Sequence, residues 1–159
     1  MEVERMKDRY LFKAKTCNGE WVSGFLHCKE NKWYISNKAG APFAFEVRPG
    51  TICQCTGMTD ENGKLIWEND IVHKPFYTDY DAYANSEAYT GRIQFEDNAW
   101  CVEIIKEDEC RYVYLPIIEL LTYTKDTEYF KVIGNIFDNP DLLEMGGVRY
   151  AKSCNRNSK

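Results

Sequence analysis

General acid–base chemistry at an imidazole would have to run through His27 or His73, the two histidines of the chain. His73 sits in Asp70-Ile71-Val72-His73-Lys74, where strand alternation sets it on the same face as Ile71, so it reads as a packed or edge-exposed strand residue. The carboxylate pairs Asp79/Asp81 and Glu68/Asp70 have the residue types for a divalent cation or for proton transfer. An isolated pair in an acidic chain is weak evidence for either, and turn capping accounts for Asp70 more simply. Cys53-Gln54-Cys55 offers two thiolates, but zinc sites space their cysteines by two to four residues and need two further ligands, for which only His27-Cys28 offers itself. In a strand, Cys53 and Cys55 instead share one face as small apolar side chains. Phosphate-loop chemistry finds no support: Gly146-Gly147 follows a predicted helix instead of opening one, and Thr56-Gly57 lacks the Lys-Ser/Thr that reaches phosphate and magnesium. The expectation is a protein without catalytic residues, metal or cofactor.

Composition frames that expectation. With 159 residues, 44% hydrophobic and 14% aromatic, the chain can bury a substantial core. A net charge of −5, built from both signs spread along the sequence, supplies no long basic block for a phosphate backbone. Seven cysteines, an odd number without a regular framework, predict reduced thiols. No run approaches the ~20 apolar residues of a membrane helix, and the first nine residues are charged throughout, so a soluble, cytoplasmic protein is expected.

The elements that must hold these side chains are mostly strands. Residues 9–15, 20–28 and 32–36 are aromatic or β-branched and are separated by Asn18-Gly19 and Glu30-Asn31, which predicts an N-terminal antiparallel meander. Phe43, Phe45 and Val47 alternate as a strand with one buried face, and residues 51–55 continue as another. Asn62-Gly63, ahead of Leu65, Ile66 and Trp67, is a hairpin signal. Residues 75–90 fit neither period and predict a long loop made adhesive by Phe76, Tyr77, Tyr80, Tyr83 and Tyr89. Residues 91–95 and 100–105 form a hairpin around residues 96–99, with Ile93 and Phe95 on one face; a further strand covers residues 111–115, and residues 116–121 read as a helical or 3₁₀ turn. A strand over residues 130–133 closes a small barrel. Asn139 caps and Pro140 opens a short C-terminal helix.

Two stretches carry a family likeness: Thr56-Gly57 through Asn62-Gly63-Lys64 to Glu68-Asn69-Asp70-Ile71-Val72, and Val132-Ile133-Gly134-Asn135-Ile136 with Asn139-Pro140. In this order, with Gly91-Arg92-Ile93-Gln94-Phe95 between them, they resemble the YopX-like family of phage and prophage proteins, over roughly residues 9–144. The resemblance implies a mainly β protein of unestablished biochemical role, barrel-like in its C-terminal part, with no catalytic residues to carry over. Asn69 stands where that family usually has glycine and Cys55 where it commonly has an aromatic residue; Asn is the next best residue at positive φ, and Cys55 asks for local repacking. The expected architecture is an N-terminal β subdomain over residues 1–55, an SH3-like β-barrel over residues 56–145 with the loop 75–90 inserted, a short C-terminal helix, and a flexible tail over residues 146–159.

Two functions remain. The first is a non-enzymatic interaction module that docks a host or phage protein, or copies of itself, through Phe76, Tyr77, Tyr80, Tyr83 and Tyr89; a homo-oligomer is expected. The second is a nucleic-acid-associated phage factor in which Trp100, Tyr112 and Tyr114 stack on bases while Arg92, Lys106 and Arg111 meet phosphates, a reading the acidic balance disfavours.

Overall fold

The computed structural model describes residues 10–36, 43–74, 89–106, 111–116 and 130–145. The chain divides into two compact units, Met1–Asn69 and Asp70–Lys159.

In the first unit, β1 (Phe12–Lys15), β2 (Trp21–Lys29), β3 (Lys32–Ser36), β4 (Phe45–Val47), β5 (Cys53–Thr59) and β6 (Leu65–Trp67) form one antiparallel sheet in the order β4-β3-β2-β1-β5-β6. Turn chemistry fixes its hairpins. Glu30 and Asn31, the two residues between the paired Lys29 and Lys32, both take positive φ (52° and 63°), the geometry that matches the twist of the flanking strands. Strand β2 changes partner midway: residues 21–24 pair with β1 and residues 25–29 with β3, and the change falls at Gly24, as at the corner of a strongly bent sheet. The bend brings β4 back toward β1. Val47 bridges Thr16, the Arg48 amide donates to the Lys15 carbonyl at 2.8 Å, and the 3₁₀ turn Pro49–Thr51 then leads into β5 beside β1. Inside the curl Ala14, Ile35 and Val47 are buried, with Phe12, Val22, Leu26, Trp33 and Ile52 packed against them.

Two expectations change here. The division foreseen between residues 55 and 56 falls inside β5, which bonds to β1 on one side and β6 on the other and so belongs to the first unit along its whole length. The face shared by Phe43, Phe45 and Val47 is buried only at Val47: β4 runs off the core after three residues, leaving Phe45 50% and Phe43 80% exposed.

The second unit is a five-stranded antiparallel sheet of β7 (Asp70–Lys74), β8 (Tyr89–Glu96), β9 (Ala99–Lys106), β10 (Arg111–Pro116) and β11 (Lys131–Asn135), in the order β10-β9-β8-β7-β11. Asp97 and Asn98, at φ 48° and 64°, turn β8 into β9. Ile71, Val72, Ile93, Val102, Ile104, Phe130, Val132 and Leu143 are buried. Gly91 is required by space: a Cβ there would lie 2.5 Å from Val102 Cγ1 and 2.7 Å from the Glu103 carbonyl oxygen. Strand β11 shifts register between Val132 and Gly134, then turns through Asn135, whose side-chain oxygen accepts from the Phe137 and Asp138 amides at 3.0 Å each. A single helical turn, α1 (Leu142–Met145), packs on β8.

The barrel expected in this part of the chain is not found among the described residues: the sheet is open, with β10 and β11 at its edges. Pro116, where a helical turn was expected to begin, instead ends β10 opposite Cys101. The loop side chains Phe76, Tyr77, Tyr80 and Tyr83 and the tail over residues 146–159 lie outside the described residues. Among the described residues no helix is long and apolar enough to cross a membrane.

Candidate functional site

The nucleic-acid constellation is divided by the β8–β9 register. Arg92 pairs across the ladder with Glu103 and Phe95 with Trp100, and since residues 92 and 95 are an odd number apart, their side chains leave opposite faces of the sheet. Arg92 Nη1 lies 3.8 Å from Glu103 Oε2, a carboxylate oxygen that also accepts from Gln94 Nε2. On the other face Trp100 meets the Phe95 ring edge-on at 5.1 Å. The cation intended for phosphate is therefore matched by a carboxylate, and the ring intended for a base lies behind it. Arg111 and Tyr112 open β10, with their backbones opposite Lys106 and Ile105, and Tyr89 opens β8 opposite Lys74.

Of the groups singled out for chemistry, those among the described residues are engaged locally, while Asp79 and Asp81 lie outside them. His73 Nδ1 lies 3.0 Å from Thr90 Oγ1 on the neighbouring strand. His27 stacks on Tyr34 with ring centroids 5.7 Å apart and planes 19° from parallel. Cys53 and Cys55 share one face of β5 and are fully buried; Cys53 Sγ donates to the Thr51 carbonyl and accepts from Asn69 Nδ2, while Cys55 Sγ reaches the Ile66 carbonyl. Among the described residues, no three His, Cys, Asp or Glu side chains are grouped so as to hold a metal ion.

One arrangement escaped the sequence reading. Lys13 and Lys15 alternate on the face of β1 opposite Ala14, and the Lys13 ammonium lies 5.2 Å from the Trp21 ring centroid and 5.5 Å from that of Trp67, with Lys15 5.4 Å from Trp21. Each ammonium sits against the negative face of an indole. The alternation Lys13-Ala14-Lys15 is visible in sequence, but its partners on β2 and β6 become neighbours only through pairing across 8 and 54 positions.

Exposed aromatic surface gathers elsewhere: at Phe43 and Phe45 beside the β4 edge, and at Phe95 at the β8–β9 tip. Turns within each unit bear the residues of the family likeness, and a comparison with known families decides what they signify. The profile of the family described as YopX protein matches residues 2–144. The chain belongs to the YopX family. No curated protein matches it.

Within this YopX-family chain, the residues that carry the likeness do turn-making work. Thr56 Oγ1 donates to the Ile66 carbonyl at 2.8 Å and accepts from the Met58 amide, clamping β5 to β6 where their register slips. Asp60 Oδ1 accepts from the Asn62 and Lys64 amides at 2.9 Å each, and Gly57 and Gly63 take φ of 77° and 76°. Asn69 adopts φ 66°, so the turn that usually has glycine in this family survives with asparagine. Gly134 leaves room for Asn139 Oδ1, 2.6 Å from where a Cβ would stand.

Proposed function

We propose that this YopX-family chain is a non-enzymatic, phage- or prophage-encoded interaction module that assembles with copies of itself. The observation that carries the reading is the β4 end of the first sheet, where Phe43 and Phe45 are both exposed. The Tyr-rich segment 75–90, with Phe76, Tyr77, Tyr80, Tyr83 and Tyr89, belongs to the same proposal as a second adhesive element. A host or phage protein is the other partner class such surfaces suit.

A finer reading of the fold, proposed for the first unit and not for residues 56–145 where the sequence led to its expectation, is an SH3-like small barrel. The unit's meander β1–β4, its 3₁₀ turn, the return of β5 to β1 and the Val47–Thr16 bridge are the connections such a barrel needs. Folds of this kind host unrelated functions, so the surface and not the topology supports the interaction role.

The test is size-exclusion chromatography with light scattering, applied to the intact chain, to Phe43→Ser/Phe45→Ser and to a chain lacking residues 76–89, with ultraviolet absorbance ratios recorded. A dimer or larger species that dissociates in either variant is the expected result. A monomer at high micromolar concentration overturns self-assembly, and one that co-purifies with nucleic acid moves the reading to the nucleic-acid-associated factor.

A further inference from the structure

Two exposed aromatic surfaces of this chain carry complementary, unmatched charge. At the β8–β9 tip, Phe95, Glu96, Asp97 and Asn98 are all exposed, and neither carboxylate makes an ion pair among the described residues. Beside the β4 edge, Phe43 and Phe45 are exposed; Glu46 is neutralised by Lys32 at 3.0 Å, whereas the Arg48 guanidinium donates to the Cys17 carbonyl, a neutral partner, and keeps its charge. The same polarity holds for the units as wholes. Met1–Asn69 has ten Lys and Arg against nine Asp and Glu, while Asp70–Lys159 has ten against sixteen.

We propose that the β8–β9 tip of one copy docks on the β4 edge of a second copy, with Phe95 against Phe43 and Phe45 and the carboxylates of Glu96 and Asp97 toward Arg48. This inference rests on the self-assembly reading and specifies its geometry. The contact joins unlike surfaces, so a pair related by two-fold symmetry makes it twice, whereas a head-to-tail series closes into a ring or continues as an open filament. Its small area makes it concentration-dependent, and its charge makes it weaken as salt rises.

Sedimentation velocity on full-length chains separates this geometry from its rivals. The edge variant is Phe43→Ser/Phe45→Ser; the tip variant is Glu96→Lys/Asp97→Asn, because asparagine keeps the left-handed backbone at residue 97. Each variant alone is expected to lose association, while an equimolar mixture forms a heterodimer and nothing larger, since only one intact tip and one intact edge can meet. Thermal melts matching the intact chain show that both variants are folded. A tip variant that assembles as the intact chain does, or a mixture that stays monomeric while the intact chain assembles, overturns the head-to-tail contact and leaves self-assembly standing. An intact chain that never assembles overturns both.

Discussion

Burial alternates along β1, with Ala14 sealed and Lys13 and Lys15 half-exposed on the other side, whereas in β7 the consecutive Ile71 and Val72 are both fully buried although they point to opposite faces. The first sheet makes its core by bending around one face, which leaves the other face for the Lys–Trp array. In the second, β7 is buried on both faces, and among the described residues exposure returns toward the β8–β9 tip and the edge strand β11. A central strand flanked on both sides has no face left for function, and the exposed Phe95 sits where the ladder ends.

The comparison breaks most visibly if β7 proves tolerant. Ile71→Ala removes three carbons from a fully buried site and is expected to cost about 2–5 kcal/mol, with Val72→Ala on the opposite face only somewhat milder. Lys13→Ala, on the outer face of β1, is expected to cost ~1 kcal/mol for each cation–ring contact at most. Urea titrations that rank Lys13→Ala with the β7 variants would show that the outer face of the first sheet is itself part of a core.

Glycines sharpen the contrast at intermediate scale. Gly91→Ala forces a methyl against Val102 and the Glu103 carbonyl and is expected to cost roughly 1–3 kcal/mol. Gly63→Ala meets open space but must hold φ 76°, at about 1–2 kcal/mol. Asparagine should therefore recover most of the loss at residue 63 and worsen it at residue 91; equal responses in thermal melts would mean that one mechanism governs both.

The smallest effect concerns the exposed pair on the first sheet. The hydrogen bond that the Lys32 ammonium donates to Glu46, and then the charge of that carboxylate, hold Lys32 above its ordinary range. Because the folded value is raised, the stabilisation is complete below the unfolded pKa and disappears as pH rises through the folded one. The exposure of both side chains keeps it slight. NMR titration of Lys32 should show its midpoint falling in Glu46→Gln, and a midpoint that does not move would mean the pair does not persist in solution.

The local features of the fold were legible in the sequence for a physical reason: the two-residue turn Glu30-Asn31 and the longer turn from Asp60 to Lys64 around Asn62-Gly63 declare their backbone geometry in residue type, and strands between such turns follow. What could not be read was pairing at a distance. The alternation of Phe43, Phe45 and Val47 predicts one buried face, yet burial ends at Val47 because the curl of a strand far earlier in the chain decides how much of β4 finds a core. The candidate site suffered in the same way. Arg92 and Trp100 look like neighbours in composition, but the odd spacing between residues 92 and 95 together with the Phe95–Trp100 pairing sends them to opposite faces. The Lys13–Trp67 contact had no local signal at all.

Strand β1 lies between β2 and β5, and its far end meets Val47, so it leaves the ribosome well before the strands that complete it. Its outer ladder waits until Gln54 has been synthesised and has cleared the exit tunnel. Through that interval Phe12 and its neighbours have half their partners, and contacts this remote in sequence close slowly. Pausing translation before residue 53 should therefore yield a nascent chain open to proteases, which turns resistant only once β5 has been made and has emerged from the tunnel to complete the sheet.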